Sequence, residues 1–363
     1  MTPWLAPQTA PLSALLRVSG PMSYEPCFAG QAPSSPGARE DSGVMLQPSG
    51  SVHRPGGIRI GTWNVSGWSL LRAGVVAEVI QADVLAVQET HLSAVLLERS
   101  SAAARLRYGL HFHHGRPAPP SGTEVFGRRC GVGFIAAPGV ALSPAPPRGP
   151  AWRMLHTLFR LHAVRLPPRP GLPIGLLLLS VYAPLMAGGH QVERERYCLA
   201  LLQLTHELDM QTPTLLLGDF NGSVQPHRDF LSTSSHSRPC CPLLVQLLGP
   251  GGAGVDVQAA LHDGPLAWTY RHLDQSGKES ASRIDLVLAN HAALPLVETI
   301  EVLSGVRYGG HSPVVVTLRH CTPWPSTGTG PGPVCPLSCG CPRPPSFSAP
   351  SGPTSFSAGR PPR

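Results

Sequence analysis

The sequence predicts an α/β fold in one domain of roughly residues 57–320, on three observations. Apolar runs of strand length, several of them β-branched, stop abruptly in polar side chains. Amphipathic stretches long enough for helices lie between them. Pro (42 residues) and Gly (39) crowd the two ends of the 363-residue chain, so only the middle can bury enough apolar surface for a core. Residues 1–56 and 321–363 are therefore expected to be disordered, and the span between them suits a single two-layer or sandwich domain.

The first strand, IRIGTWNV from Ile58, alternates and ends at Asn64, where SGW turns the chain. In SLLRAGVVAEVIQA, Leu71, Val75 and Val79 form one helical stripe beside Val76 and Ile80, the face an amphipathic helix turns to a core. DVLAVQET reads as a short buried strand with Gln88 and Glu89 at its polar end. HFHHGR holds His111, His113 and His114; with no carboxylate in that stretch, a solvated loop is favoured over a metal cluster. CGVGFIAA, preceded by Arg128 and Arg129, is another strand. LLLLSVYAP and TLLLGDFN repeat the design, each an apolar run halted by polar groups, with the helix ERERYCLALLQLTHEL between them. LAWTY, the turn LDQSGKES, the strand RIDLVLAN and the strand PVVVTL after His311 complete the domain.

Composition excludes little. Over residues 57–320, 22 basic residues outnumber 18 acidic ones, a mild excess that decides nothing about an anionic partner. Nearly every basic residue is Arg, Lys278 being the only lysine, and a GC-rich coding sequence accounts for that bias as well as any ligand does. The nine cysteines are scattered, with no CxxC pair and no histidines at zinc spacing, so reduced thiols in an intracellular protein, nuclear or cytoplasmic, are expected. The tail motif CPLSCGC lacks a fourth ligand for a metal. No apolar run approaches membrane-spanning length, and no secretory signal is read at the N-terminus.

Taken singly, an Asn after a strand is a turn former, a Glu or Asp a solvated cap, a Tyr half-buried filler. Six strands ending in Asn64, Glu89, Tyr182, Asp219 with Asn221, Asp285 and His311 are a different matter. Buried one by one such groups are costly; gathered at one sheet edge they satisfy each other. Together they are what metal-assisted phosphodiester hydrolysis needs: hard oxygen ligands for Mg²⁺, a group to orient attacking water, and donors to the charged phosphate.

The order and flanks of TWN, QET, VYAP, GDFN, SRID and GGHSP resemble the endonuclease/exonuclease/phosphatase superfamily over about residues 58–319. Within it the compact layout is most similar to the endonuclease domain of non-LTR, LINE-type retrotransposons, relatives of the apurinic endonucleases. The resemblance implies an α/β sandwich of two packed sheets flanked by helices, with the site at one edge. It implies Mg²⁺-dependent hydrolysis of DNA, with Mn²⁺ as a substitute ion. Glu89 is then the principal metal ligand with Asn64 close by, Asp219 orients or deprotonates the water, and Asn221 holds it, the two lying two apart on one strand face. Tyr182 donates toward the phosphate, and Asp285 fixes the tautomer of His311, which is expected to be exposed and to stabilise charge as an imidazolium. Trp268 either faces the groove or packs in the core, and Arg128 and Arg129 either contact a DNA backbone or are ordinary surface arginines.

One position departs from the pattern. The family usually has Ser-Asp before the histidine, and this chain has Gly309-Gly310. That Asp assists the metal, so its absence leaves the His–Asp pair intact and weakens the ligand set. Two other readings follow: a phosphatase or phosphodiesterase for a small or lipid substrate, or a weakly active or inactive retroelement remnant.

Overall fold

The computed structural model describes residues 57–116, 131–145, 149–169, 172, 174–185, 191–209, 211–224, 229–231, 241–249, 252–273 and 279–319. The terminal segments expected to be disordered, the tail cysteines and the pair Arg128 and Arg129 lie outside the described residues.

The strands are β1 (Arg59–Asn64), β2 (Val84–Gln88), β3 (His111–His114), β4 (Val132–Ala136), β5 (Ser143–Pro144), β6 (Leu161–Leu166), β7 (Leu176–Tyr182), β8 (Thr214–Asp219), β9 (Phe230–Leu231), β10 (Val255–Asp256), β11 (Tyr270–Leu273), β12 (Glu279–Ser282), β13 (Asp285–Ala289), β14 (Val297–Val302) and β15 (Val314–Leu318). The helices are α1 (Leu70–Val75), α2 (Ala94–Tyr108), α3 (Pro150–Thr157), α4 (Gln191–Glu207), α5 (Pro242–Leu248) and α6 (Val257–Leu261). One six-stranded sheet runs β14-β15-β1-β2-β4-β3 and a second runs β10-β13-β8-β7-β6-β5, while β11-β12-β9 form a small third sheet. In each large sheet one central pair is parallel, β1 with β2 and β7 with β8.

Side-chain alternation explains the layering. Ile60 of β1, Val84 of β2, Leu178 of β7, Leu215 of β8 and Val287 of β13 share one apolar cluster between the sheets. The residues one step along each strand face outward: Trp63, Leu85 and Val87 pack with Val76, Ile80 and Ala104 under α1 and α2. Leu177, Leu179 and Leu216 pack with Trp152, Tyr197 and Leu244 under α3, α4 and α5. This is the expected two-sheet α/β sandwich, its core strands apolar on both faces.

Two local expectations are corrected. The stripe Leu71, Val75 and Val79 does not face the core, for Leu71 and Val79 are 66% and 55% exposed. After Val75 the helix widens into a π-helical segment, Val76–Ile80, which breaks the 3.6-residue period and turns Ala73, Val76 and Ile80 inward instead. His111, His113 and His114 are not a loop; they form the edge strand β3, half-buried against β4. Burial pulls the imidazoles of His113 and His114 below their ordinary pKa, because strand pairing takes them out of water. Among the described residues no helix is long and apolar enough to cross a membrane.

Candidate active site

The inward face that carries the apolar core also carries the site. In β1 the inward positions are Ile60, Thr62 and Asn64; in β7, Leu178, Ser180 and Tyr182; in β8, Leu215, Leu217 and Asp219. Each inward row therefore passes from apolar to polar toward one end of the sandwich. Strand register brings these ends together: Asn64 pairs with Gln88, Tyr182 with Asp219, and Asp219 with Asp285 across the antiparallel β8–β13 ladder. His311 enters the same end just before β15, which runs antiparallel to β1.

Beneath the site, and not anticipated from the sequence, a polar chain crosses from one sheet to the other. Thr62 Oγ1 donates to Gln88 Oε1 at 3.2 Å, Gln88 Nε2 donates to Ser180 Oγ at 3.0 Å, and Ser180 Oγ donates to the Val87 carbonyl at 3.3 Å. All three side chains are fully buried and mutually satisfied. Its signal was present in the sequence: Ser180 interrupts LLLLSVY two residues before Tyr182, on the same face.

Above that layer Asn64 Nδ2 bridges two carboxylates, 2.9 Å from Glu89 Oε1 and 2.9 Å from Asp219 Oδ2, while its Oδ1 accepts from the Ser66 amide. Tyr182 donates to Glu89 Oε1 at 2.6 Å, and the Arg160 guanidinium, paired with Glu193, lies 4.7 Å from the Tyr182 ring centre. Glu89 Oε2 faces His91 Nε2 at 3.3 Å. Burial pushes the Glu89 carboxyl upward, but the neighbouring His91 and the donors Tyr182 and Asn64 outweigh it and hold the pKa at about 2. Burial and the Glu89 charge drive the Tyr182 phenol well up, so it stays a donor.

Asp219 is the opposite case. Burial first, then the Asp285 charge, raise its pKa to about 7 against the opposing pull of His311, Asn64 and the Asn221 amide. Its Oδ1 accepts from Asn221 N at 2.8 Å. Asn221 does not extend the strand as expected: β8 ends at Asp219, and Asn221 sits in a left-handed turn (φ 45°) with Nδ2 donating to the Ala183 carbonyl at 2.8 Å. The pair meets through the turn's backbone amide and not by two-residue alternation.

His311 Nδ1 lies 3.0 Å from Asp285 Oδ2. Burial lowers the pKa of this imidazole, but the charge and bond of Asp285, with Asp219 and Glu89 behind, raise it to about 9. Contrary to expectation His311 is not exposed; only 6% of it is accessible, because the Tyr270 ring lies tilted against it, centroids 4.7 Å apart, and Trp63 Nε1 holds its carbonyl. Thr269 Oγ1 accepts from the amides of Ile284 and Asp285, and the Thr269 carbonyl accepts from Ser312 N, so one residue fixes both members of the pair. Trp268, beside it, is half-buried. Ligand atoms of Asp219, Asp285 and His311 all fall within 4.8 Å of one another.

The double glycine is a backbone device. Tyr308 and His311 exchange both backbone hydrogen bonds around Gly309 (φ 53°) and Gly310 (φ 91°), the pattern of a two-residue turn with both central residues left-handed. A Cβ on Gly310 would stand 2.6 Å from the Arg271 carbonyl oxygen.

Comparison with known proteins places the arrangement. The catalytic domain of Xenopus laevis APE2 superposes with a TM-score of 0.55 at 20% identity, covering 72% of this chain and 92% of that one. The 3'-5' exonuclease NExo of Neisseria meningitidis gives 0.55 at 18% identity, with coverage of 72% and 100%. The AP endonuclease LMAP of Leishmania major gives 0.54 at 18% identity, with coverage of 77% and 92%. No curated protein sequence matches the chain. At these identities the likeness speaks for the fold, while the sequence profile of one family matches residues 61–327, most of the chain. The protein belongs to the Endonuclease/Exonuclease/phosphatase family.

Proposed function

We propose that the protein is a divalent-metal-dependent hydrolase that cleaves phosphodiester bonds in DNA by attack of an activated water. The observation that carries this reading is geometric: Asn64 joins Glu89 to Asp219, Tyr182 donates to Glu89, and Asp285 holds His311, all at one end of the sandwich, with the Glu89 carboxyl held low and the Asp219 and His311 groups raised by these neighbours and by burial. The donor set suits a hard cation at Glu89, whose Oε2 takes neither the Tyr182 nor the Asn64 bond. The Asp219, Asp285 and His311 cluster suits one less, because Asp285 is already bonded to His311 Nδ1 and Asp219 to Asn64 and the Asn221 amide. Bound at Glu89, Mg²⁺, or Mn²⁺ in its place, would supply positive charge against the phosphate.

The chain's own residues divide the remaining work. Asp219, at a pKa of about 7, accepts the proton of the attacking water, and the amide bond from Asn221 holds its carboxylate in place. His311, held by Asp285, presents positive charge to a phosphate oxygen. Tyr182 and Asn64 donate their hydrogens to Glu89 and Asp219, and each reaches a phosphate oxygen by giving up one of those bonds when substrate enters. DNA as substrate is supported by the resemblance to apurinic and retrotransposon endonucleases and by the DNA-processing relatives of the fold; the retrotransposon branch rests on the compact layout of the motifs.

The test is incubation of the full chain with supercoiled plasmid and Mg²⁺, beside the His311→Ala protein. Nicking that disappears with the substitution supports the nuclease. Hydrolysis of phosphomonoesters or phosphoinositides without nicking replaces it with a phosphatase, and DNA binding without hydrolysis replaces it with an inactive remnant.

A further inference from the structure

The geometry points to His91 as a second protein ligand of the divalent metal, giving the site one imidazole nitrogen beside the Glu89 carboxylate and a preference for Mn²⁺ over Mg²⁺. The inference rests on the reading that Glu89 anchors the metal, and it concerns what else holds it.

Three observations converge. Tyr182 and Asn64 both donate to Glu89 Oε1, which leaves Oε2 facing His91. His91 Nε2 is 3.3 Å from that oxygen, shielded from water and within ion-pair reach, but the two atoms are poorly aligned as donor and acceptor. A buried polar atom of this kind calls for an explanation. Two donors bonded to one ion at about 2.1–2.2 Å and at right angles stand about 3 Å apart, so the observed separation suits adjacent positions around one cation.

The backbone makes the placement firm. Gly67 N donates to the Glu89 carbonyl at 2.6 Å, Trp68 N to the Thr90 carbonyl at 2.9 Å, and Thr90 N to the Gly131 carbonyl at 3.2 Å. Glu89 (φ 51°) and His91 (φ 55°) both adopt left-handed backbone around Thr90, whose Oγ1 is bonded to His114 Nε2 at 2.7 Å. The segment is thus pinned on both sides, with the two side chains folded toward each other. A simple Glu–His ion pair is the competing account; it explains the separation but not the poor alignment of the nitrogen.

An imidazole in place of a water changes the selectivity of the site. Mg²⁺ prefers oxygen ligands and gives up water reluctantly, whereas first-row transition ions accept nitrogen. It also offsets, in ligand number, the carboxylate that Gly310 does not supply.

The experiment loads the full chain with Mn²⁺ alone and records pulsed EPR, in which a coordinated imidazole appears as ¹⁴N modulation; titrations of Mn²⁺ and Mg²⁺ run in parallel. Expected are ¹⁴N modulation in the natural protein, its loss in His91→Ala and in His91→Gln with Mn²⁺ still bound, and a fall of about tenfold or more in the ratio of Mn²⁺ to Mg²⁺ affinity. Mn²⁺ bound without ¹⁴N modulation, or modulation that persists in both variants, overturns the assignment of His91 and leaves the hydrolase reading intact. Glu89→Gln separates the two: Mn²⁺ binding that is absent from the natural protein, or that this substitution leaves unaffected, overturns both.

Discussion

The side-chain nitrogen of Asn64 reaches Asp219 Oδ2 at 2.9 Å, joining the last residue of a strand in one sheet to the last residue of a strand in the other. The same nitrogen reaches Glu89 at 2.9 Å, so one amide sets the spacing between the carboxylate assigned to the metal and the carboxylate assigned to the water. The site is therefore part of the contact between the sheets. It cannot change shape without shifting their packing.

Asp219→Asn keeps that amide contact in size but removes the proton acceptor. Plasmid nicking is expected to fall by about 10²–10⁴-fold while the circular dichroism spectrum and melting temperature change little. A rate within about threefold of the natural protein would remove Asp219 from the chemistry.

His311 and Asp219 set the pH behaviour of the metal-free protein. Both folded-state pKa values lie above their ordinary ones, at about 9 and about 7, so the native state binds more protons than the unfolded chain. The stability contributed by the His311 proton is complete below about pH 6.5 and is lost as pH rises through about 9; the Asp219 proton contributes in full below about pH 4, and its share is lost as pH rises to about 7. Denaturant unfolding between pH 6 and 10 should show falling stability. Asp285→Asn should flatten the His311 part, and an NMR titration of the His311 ring should find its midpoint several tenths of a unit or more below that of the natural protein. An unchanged midpoint would assign the shift to another neighbour.

What the sequence made legible was which strands end in polar side chains at one end of the sandwich, because a polar group stopping an apolar run is a local signal. The two large sheets followed from the family resemblance. What stayed hidden depended on contacts across the sandwich or on backbone irregularity. The burial of His311 requires the Tyr270 ring to lie against it, the turn geometry of Asn221 requires β8 to end two residues before it, and the true buried face of α1 depends on a π-helical segment that no 3.6-residue pattern contains. His91 escaped notice because its meaning lies in 3.3 Å of separation from Glu89.

Ser180→Ala should destabilise the fold by about 1–3 kcal/mol, since it leaves buried Gln88 Nε2 without an acceptor. Combining it with Gln88→Met should restore part of the loss, because replacing both partners removes the orphaned group. Thermal melts of the single and double variants decide the matter; equal losses for Ser180→Ala and an exposed Ser→Ala control would mean that water replaces the hydroxyl.

Gly310→Asp is the substitution that the family pattern recommends, and the structure reverses the expectation that it would strengthen the metal site. Gly310 has φ 91°, a conformation L side chains rarely adopt, and its Cβ would meet the Arg271 carbonyl oxygen at 2.6 Å and Tyr270 Cε2 at 2.7 Å. The carbonyl is fixed backbone of β11, and Arg271 N is itself bonded to the Gly310 carbonyl at 2.9 Å, so neither atom can retreat without breaking the turn that holds His311. Strain of this kind is of the order of 1–3 kcal/mol. Gly310→Ala and Gly310→Asp are therefore expected to lower the melting temperature alike, and to lower nicking through the displaced His311. Their similarity is the informative result, since Ala brings the Cβ without the charge. If Gly310→Asp alone kept full stability and reduced the Mg²⁺ concentration needed for half-maximal nicking, the turn would be tolerant and the missing carboxylate would be the feature that limits the enzyme.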